Sequence, residues 1–203
     1  MKHALVQLAV ILRDLRVSAE ALSILLSHAA AVEADADRLG LISHGDAGHV
    51  LSRHTADSLL FAVVRTPEPD DRWIDVGSGA GFPGLVLAAC FPEASFVLLE
   101  PQRRRAAFLE MQAARLGLEN VSVMQERADT LEPGFDVAVA RALAEPSLAM
   151  EALWRLVEPD GDAIVAVGSD VSAHPAAEDV LLDQYDVDSP RRFFMMSAPA
   201  GTA

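Results

Sequence analysis

The sequence has 203 residues, 51% of them hydrophobic, with a single cysteine and a formal net charge of −14. This size and composition favour one sizeable core and exclude intrinsic disorder, and a single cysteine excludes an internal disulfide framework or a multi-cysteine zinc site. The negative charge argues against simple electrostatic capture of naked nucleic acid, because Lys and Arg contacts to phosphate supply most non-specific affinity.

The N-terminal apolar stretch, residues 4–12, lacks the features of a targeting or membrane segment. Its nine residues are too few to cross a bilayer, which takes about 20 apolar residues. Arg13, Asp14 and Arg16 follow at the point where a signal peptide would carry small residues for cleavage. We therefore expect a cytoplasmic protein that does not associate with membranes.

Charge is unevenly distributed along the chain. Residues 145–203 carry 3 basic and 11 acidic residues, a net charge of −8, whereas residues 72–144 carry 7 basic and 9 acidic residues. Most cations of the middle segment lie in or near QRRRAAF, residues 102–108. A local basic patch is therefore compatible with the acidic total.

Three helices are predicted in the first 64 residues, and together they form an N-terminal helical cap. They cover residues 4–15, 18–39 and 46–64. Ser18 and Asp46 stand where N-caps are expected. A segment rich in proline and aspartate, residues 65–71, then breaks the helical pattern. We predict a domain boundary there, with the cap at 1–71 and a second domain at 72–203.

From residue 72 onward, short apolar strands alternate with amphipathic helices, which is typical of the doubly wound α/β class with a mainly parallel sheet. The predicted strands cover residues 72–77, 95–100, 121–125, 136–140 and 163–168, and the predicted helices cover residues 83–91, 102–116 and 146–156. The pattern then weakens, and we predict a helix at 174–184 and a last strand at 191–197. Cys90 lies in an apolar helical stretch, which predicts a buried structural thiol.

The loop after the first of these strands is rich in glycine. Residues 79–84 fit the pattern G-x-G-x-x-G, and Glu100 ends the next strand about 20 residues later, where a ribose ligand is expected. Asp75, just before the loop, discriminates between ligands, because a carboxylate disfavours pyrophosphate and favours a cation. S-adenosylmethionine carries a sulfonium and an ammonium and no phosphate, so we predict it as the cofactor.

Five stretches in this order resemble the bacterial 16S ribosomal RNA guanine-N7 methyltransferase family, known as RsmG or GidB. They are RHTADSLL (53–60), DVGSGAGFPGLVLA (75–88), LLEPQRRRAAFLE (98–110), LGLENVSVMQERADTL (116–131) and FDVAVARALAEP (135–146). The resemblance implies a class I methyltransferase fold, Rossmann-like, with the cofactor-binding domain at 72–203.

The resemblance also implies a set of cofactor contacts. The residues are Asp75, Gly77, Gly79, Phe82, Glu100, Ala128, Asp129 and Arg141. Within this set, Glu100 takes the ribose hydroxyls, and Ala128 and Asp129 hold the adenine. The residues themselves leave simpler alternatives, in which Phe82 joins the core and Glu100 is an ordinary solvated acid at a strand end.

Arginines are the candidates for the reaction and for RNA. Arg141 matches the family's functional arginine, which makes it the predicted catalytic residue, although a structural ion pair would also explain an arginine between apolar segments. Arg103, Arg104 and Arg105 lie near a helix N-terminus, where the macrodipole disfavours cations. This placement suggests contacts to RNA phosphates, and a solvated basic face is the alternative.

The stretch RHTAD, residues 53–57, lies on one predicted helix. Arg53 and Asp57 are four residues apart and can pair on one face, with His54 packed beside them. That salt bridge is the simple interpretation. The resemblance makes this helix the one that closes the site.

We therefore predict a methyltransferase of rRNA processing that acts, as a monomer, on N7 of a guanine in 16S ribosomal RNA within small-subunit particles. Guanine N7 has an in-plane lone pair and needs no general base, and no metal is predicted. The alternatives are a small-molecule methyltransferase, a non-catalytic cofactor-binding or protein-interaction module and, more remotely, an NAD-dependent oxidoreductase.

Two departures from the family pattern bear on the RNA substrate. Val167 stands where the family usually has lysine, and Gly40 stands where many members have asparagine.

Overall fold

A seven-stranded sheet forms the centre of the protein in this computed structural model, which describes residues 2–43, 48–141, 145–168, 171–172, 174–183, 185 and 191–199. The strands are β1 (Arg72–Val76), β2 (Ser95–Leu99), β3 (Val121–Met124), β4 (Phe135–Arg141), β5 (Val157–Val167), β6 (Glu178–Leu182) and β7 (Arg191–Ser197). Their order across the sheet is β3-β2-β1-β4-β5-β7-β6. Strands β1 to β5 pair in parallel, and β7 is antiparallel to both of its neighbours. The predicted doubly wound, mainly parallel sheet is therefore confirmed.

The helices lie in the positions that the alternating pattern predicts. They are α1 (Lys2–Asp14), α2 (Ala19–Leu39), α3 (Ala56–Val64), α4 (Gly84–Cys90), α5 (Arg103–Leu116) and α6 (Pro146–Trp154). Ser18 caps α2 by accepting a hydrogen bond from the Ala21 amide, as predicted. Asp46, the other predicted cap, lies outside the described residues, and a π-helical turn, Val50–Thr55, leads directly into α3.

The hydrophobic core has two parts, one on each face of the sheet. On one face, the cap residues Leu8, Ile11 and Leu25 join a buried cluster that also contains Leu85 of α4 and Phe108 of α5. On the other face, α6 covers β1, β4 and β5. The cap therefore shares a core with the sheet, and the boundary at residue 71 remains a prediction.

The C-terminal region corrects one prediction. Residues 174–184 were expected to be helical, but Glu178–Leu182 forms β6 and pairs antiparallel with β7. Val180 and Leu182 contact the core on one side of the strand, whereas Leu181 between them is exposed on the other side. The pairing with β7 decides the structure here, because a short segment has little helical stability of its own.

Strand β5 also differs from its prediction. It begins at Val157, six residues before the predicted start, and contains an irregularity in its pairing with β4 at Phe135 and Val137. Asp160 in this stretch has a φ of +67°, a left-handed conformation typical of a bulge. Proline, aspartate and glycine at 159–161 are residues typical of turns. The sequence pattern therefore did not predict the first part of β5.

None of the described helices is long and apolar enough to cross a membrane.

Cys90 is buried at the end of α4, as predicted. Burial raises the pKa of its thiol to about 12, so the group stays protonated and unreactive at neutral pH.

Candidate functional site

The glycine loop after β1 follows a path that needs glycine. Gly77, Gly79 and Gly81 all have positive φ, which residues with a side chain rarely adopt. A Cβ on Gly84 would lie 2.1 Å from Cδ2 of Leu98 and 2.8 Å from Oδ2 of Asp75. Glycine at this position therefore allows α4 to begin directly against the sheet.

Asp75 lies beneath the loop rather than facing the open crevice. Its side chain is 2% exposed, and its Oδ2 accepts a hydrogen bond of 2.9 Å from the Gly84 amide, the first residue of α4. Burial raises the pKa of Asp75 to about 6, opposed in part by the Gly84 hydrogen bond and by the positive charge of Arg141. The sequence argument, which set this carboxylate directly beside a cationic ligand, differs from the observed position.

The position of Asp75 still bears on ligand choice. A pyrophosphate in the dinucleotide-binding folds sits on the amides at the start of the helix that follows the glycine loop. Here the Asp75 carboxylate already accepts the hydrogen bond of the Gly84 amide. A phosphate at that point would meet a carboxylate and would lose a donor, so the loop disfavours phosphate ligands for a different reason from the one expected.

Glu100 connects the loop to the start of α5. It is 3% exposed, its Oε2 accepts a 3.0 Å hydrogen bond from the Gly79 amide, and its Oε1 accepts one of 2.9 Å from the Gln102 amide. A carboxylate has about four lone-pair sites, so two acceptor sites remain after these bonds. The solvated-acid alternative is therefore wrong, and the contact to a ribose remains a prediction.

A cavity of about 360 Å³ opens at the carboxyl ends of β1 and β2. It is lined by Val76, Gly77, Leu99, Pro101, Glu126, Arg127, Ala128, Asp129, Glu145, Leu148, Ala149 and Ala152. Three predicted cofactor residues, Gly77, Ala128 and Asp129, are thus brought together, and Glu100 and Gly79 lie next to them through their hydrogen bond. This edge is where ligands bind in open α/β sheets.

The charged residues of this cavity are mostly acidic. Glu126, Asp129 and Glu145 line it, and the one arginine in the lining, Arg127, pairs with Asp129 at 3.2 Å. Glu145 also caps α6 by accepting hydrogen bonds from the amides of Ser147 and Leu148, which lowers the pKa of its carboxyl group. This set of charges favours hydroxyl-bearing and cationic ligands over anions.

Sequence reasoning missed the α6 side of the cavity. Leu148, Ala149 and Ala152 lie on one face of a helix that was predicted correctly but assigned no role. Glu145 immediately before Pro146 has the pattern of a helix start, an acidic cap followed by proline at the first position. That signal, combined with the position of α6 after β4, could have placed the helix start at the crevice.

Phe82 and Arg141 belong to a second group of side chains, on the cap side of the loop. Phe82 is 5% exposed and stacks on His54, with ring centroids 5.4 Å apart and an angle of 27° between the rings. The guanidinium of Arg141 lies 5.5 Å from the Phe82 ring centroid, and His28 lies at 5.0 Å. Phe82 is therefore enclosed by the cap and β4, so the core alternative describes its position in this structure.

Arg141 stands at the carboxyl end of β4 and connects it to the π-helical turn. Its Nη2 lies 2.5 Å from Nδ1 of His54, and its Nη1 donates to the Arg53 carbonyl oxygen at 3.3 Å. Asp57, which was expected to pair with Arg53, forms an ion pair of 2.8 Å with Arg191 of β7. Burial raises the pKa of Asp57, and the charges of Arg191, Arg141 and Arg53 oppose that rise.

The three clustered arginines of α5 do not share one environment. Arg103 and Arg104 are exposed at the start of the helix. Arg105 is partly buried, and its Nη2 donates a 2.7 Å hydrogen bond to the carbonyl oxygen of Gly40, the residue that caps α2. A cation at a helix C-terminus is stabilised by the macrodipole, so Arg105 joins the start of α5 to the end of α2.

Among the described residues, no group of three or more His, Cys, Asp or Glu side chains could hold a metal ion. His28 is a further buried titratable group near the loop, and burial lowers the pKa of its imidazole to about 4. Its ring is therefore neutral at physiological pH and packs on Phe82 as an apolar group.

Comparison with known sequences agrees with this geometry. Residues 22–183 match the GidB family, described as rRNA small subunit methyltransferase G. The chain is 39% identical over 135 residues to the ribosomal RNA small subunit methyltransferase G of Clavibacter sepedonicus, a match that covers 66% of this chain and 63% of that protein. It is 36% identical over 154 residues to the protein of the same name from Clavibacter michiganensis, covering 75% of this chain and 72% of the relative. The chain thus spans slightly less than two thirds of the Clavibacter sepedonicus relative.

Comparison with solved structures supports the fold. A mutant of MtNAS in complex with S-adenosylmethionine superposes with a TM-score of 0.60 and 16% identity, covering 87% of this chain and 73% of that one. A SAM-dependent O-methyltransferase from Thermotoga maritima gives a TM-score of 0.54 at 15% identity, covering 72% of this chain and 66% of that one. At these identities the similarity establishes the predicted class I architecture and nothing about substrate.

Proposed function

Because the chain belongs to the GidB family of rRNA small subunit methyltransferases G, we propose that it transfers a methyl group from S-adenosylmethionine to N7 of a guanine in 16S ribosomal RNA. The names of the two Clavibacter relatives support ribosomal RNA as the substrate. We assign the reaction to rRNA processing in the cytoplasm, on small-subunit particles, with the protein acting as a monomer. Residues 72–203 form the cofactor-binding domain in this proposal, and residues 1–71 cover it.

One observation carries the cofactor assignment: the crevice at the carboxyl ends of β1 and β2 combines a glycine loop with an acidic lining. Gly77, Ala128 and Asp129 line a cavity of about 360 Å³, and Glu100 lies beside it at the end of β2. The amide at the start of α4 is already bonded to Asp75. S-adenosylmethionine needs acceptors for its ribose hydroxyls and a site without phosphate-binding groups, and this crevice meets both needs.

The reaction requires the protein to align the reacting atoms and does not require it to transfer a proton. The N7 lone pair of guanine forms a bond to the methyl carbon as the bond between carbon and sulfur breaks. The electron pair of the broken bond stays on sulfur, which becomes neutral in S-adenosylhomocysteine, while the methylated base gains the positive charge. No proton leaves N7, so the protein contributes by aligning nucleophile, carbon and sulfur and by excluding water.

Arg141 is the residue that we assign to the acceptor base. A guanidinium can donate to guanine O6, next to N7 on the same edge of the base, or to a nearby phosphate. Its place at the carboxyl end of β4, one strand from the glycine loop, supports this role. In the described structure the side chain is held by the π-helical turn, which fixes its direction before any substrate binds.

Isothermal calorimetry tests the cofactor. S-adenosylmethionine and S-adenosylhomocysteine should bind and NAD should not, because NAD carries a pyrophosphate and the start of α4 is occupied by a carboxylate. Tighter binding of NAD than of S-adenosylmethionine would overturn the cofactor assignment and with it the methyltransferase proposal.

Mass mapping of 16S ribosomal RNA tests the substrate. A deletion strain should lose one N7-methylguanine, complementation with the wild-type gene should restore it, and Arg141→Ala should not. Arg155→Ala, a change of an exposed arginine at the end of α6, is the matched control and should restore the methyl group fully. Unmethylated RNA after wild-type complementation, with intact S-adenosylmethionine binding, would favour the small-molecule methyltransferase instead.

A further inference from the structure

His54 and Arg141 meet across the junction between the cap and the sheet. Nδ1 of His54 lies 2.5 Å from Nη2 of Arg141, and the carbonyl oxygens of Arg53 and His54 lie 3.3 Å and 3.5 Å from Nη1. The Phe82 ring stacks on His54 and also contacts the guanidinium. Both terminal nitrogens of the Arg141 guanidinium, Nη1 and Nη2, therefore contact the π-helical turn.

The chemistry of this contact fixes the state of the imidazole. A guanidinium has five N–H donors, no acceptor, and a permanent positive charge. Nδ1 of His54 must therefore accept the hydrogen bond, which requires a neutral ring with its proton on Nε2. A protonated His54 would present an N–H to another N–H and would place two cations in contact.

The local backbone directs His54 toward this contact. The residue lies in a π-helical turn. This conformation is rare in proteins overall, and where it occurs it is often at a functional site. The buried hydroxyl of Ser58 donates a 2.6 Å hydrogen bond to the His54 carbonyl oxygen, which fixes the turn where it continues into α3. Arg191 of β7 secures the same helix by pairing with Asp57.

We propose that neutral His54 is a positioning residue for Arg141, holding the guanidinium at the carboxyl end of β4 in the direction needed to meet the acceptor base. The proposal rests on the proposed function, because it assigns Arg141 to that base. His54 itself does not transfer a proton in this scheme. Protonation of the ring releases Arg141, so methyl transfer decreases toward acid pH even though the reaction has no proton step.

Other charged groups lie on the elements packed around His54. The charged and titratable groups described on the packed elements are Arg53 and Asp57 of its own helical segment, Arg141 of β4, Asp75 of β1, Arg191 of β7 and, across Phe82, His28 of α2. Asp57 is neutralised by Arg191, and Asp75 is bonded to the loop. The guanidinium of Arg141 is the charge in direct contact with the ring.

Two substitutions separate the hydrogen bond from the packing. His54→Phe keeps a ring that can stack on Phe82 but removes the acceptor, so methyl transfer at neutral pH should fall by about 100-fold, the size expected for a misplaced group. The dissociation constant for S-adenosylmethionine should stay within about twofold, a difference far below the 1.4 kcal/mol of a tenfold change. His54→Asn places an amide oxygen near the position of Nδ1 and should recover most of the lost activity.

The pH profile is the readout that a merely structural role would not change. Wild type and the control His49→Asn, a change of an exposed histidine just before the turn, should both lose activity toward acid pH. His54→Asn should lack that acidic decrease, because its side chain does not titrate. An unchanged acidic decrease in His54→Asn would overturn the proposal.

A second readout does not depend on RNA. The ¹⁵N spectrum of the His54 ring in the full chain should show Nε2 protonated and Nδ1 accepting at neutral pH. If wild type methylates no RNA but the ring has this state, the proposed function fails and the contact stands. If wild type is active and Nδ1 carries the proton, the positioning role is wrong. The spectrum also decides the question if His54→Phe does not fold.

Discussion

Two buried carboxylates, Asp75 and Glu100, hold the glycine loop through backbone amides. Asp75 bonds to Gly84 on the helix side of the loop, and Glu100 bonds to Gly79 on the strand side. Hydrogen bonds from amides to a carboxylate are stronger than those between neutral groups, at about 1.5–3 kcal/mol each. The loop is therefore fixed before a cofactor binds.

Replacement of Glu100 by alanine should affect both cofactor binding and stability. Affinity for S-adenosylmethionine should decrease at least about tenfold, since 1.4 kcal/mol corresponds to that factor. The melting temperature of the ligand-free protein should also fall, because the amides of Gly79 and Gln102 lose their carboxylate acceptor. Calorimetry and thermal unfolding measure the two effects.

Glu110→Ala is the control for this experiment, because Glu110 is an exposed glutamate on α5, the helix that follows Glu100. It should leave affinity and melting temperature within error of wild type. Unchanged affinity in Glu100→Ala would mean that the ribose lies elsewhere. An unchanged melting temperature would contradict the structural role of Glu100.

Asp75 should make stability depend on pH in an unusual direction for a carboxyl group. Its pKa is raised from 3.8 to about 6 in the folded protein, so between these values the folded state binds more protons than the unfolded chain. The contribution of this group to the free energy of unfolding therefore increases as pH falls from about 7 to about 4, by up to about 3 kcal/mol.

The variant Asp75→Asn isolates this effect. Asparagine retains an oxygen that can accept from the Gly84 amide but does not titrate. Urea unfolding of both proteins across that pH range should show wild type gaining stability relative to the variant as pH falls. Parallel stability curves would show that Asp75 keeps an ordinary pKa in the folded protein.

Helix α5 places its three clustered arginines in two different environments. Arg105 points toward the cap and bonds to the carbonyl oxygen at the end of α2, whereas Arg103 and Arg104 are exposed. The sequence alone presents them as one basic cluster. Their different environments follow from helical geometry, since neighbouring residues point about 100° apart.

The two subsets should behave differently when replaced. The double variant Arg103→Ala, Arg104→Ala should weaken binding to small-subunit particles and reduce the salt dependence of that binding, because each lost phosphate contact lowers the slope by nearly one unit. Arg105→Ala should instead lower the melting temperature, since it removes the hydrogen bond to Gly40. Binding titrations at several salt concentrations and thermal unfolding distinguish the two results. Full binding by the double variant would remove these residues from the RNA surface.

At the scale of the whole molecule, the net charge of −14 opposes RNA binding by long-range attraction. The acidic excess is concentrated in residues 145–203, while residues 72–144 carry nearly equal numbers of both signs. In the proposed reaction, RNA would have to approach the points where Arg141 ends β4 and where Arg103 and Arg104 begin α5, because these arginines are the predicted contacts. Ribosomal proteins on a particle would shield the phosphates that the acidic remainder repels.

Particles should accordingly be much better substrates than naked 16S RNA. Methyl transfer to particles should fall steeply with added salt, because phosphate contacts release counterions. The affinity for S-adenosylmethionine, measured over the same salt range, is the control and should change little, as the cofactor has no phosphate. Equal rates on naked RNA and particles, or transfer that ignores salt, would favour a small-molecule acceptor.

The sequence by itself determined the doubly wound sheet, the position of the glycine loop and the place of Glu100 at the end of the next strand. These features depend on periodicity and on motifs a few residues long. The family resemblance likewise rests on short stretches in order. The resemblance also grouped Gly77, Ala128 and Asp129 in advance, and all three line the cavity at the carboxyl ends of the strands.

Only the tertiary structure decided where the remaining side chains point. Asp75 lies under the loop because Gly84 lets α4 begin directly against the sheet. Phe82 lies between two histidines because the cap packs on α4, a contact between segments far apart in sequence. The pairing of Asp57 with Arg191 joins residues 134 positions apart, and β6 forms because β7 provides its partner. Local sequence patterns do not predict such contacts, because side-chain direction and strand pairing depend on packing between elements that are distant in sequence.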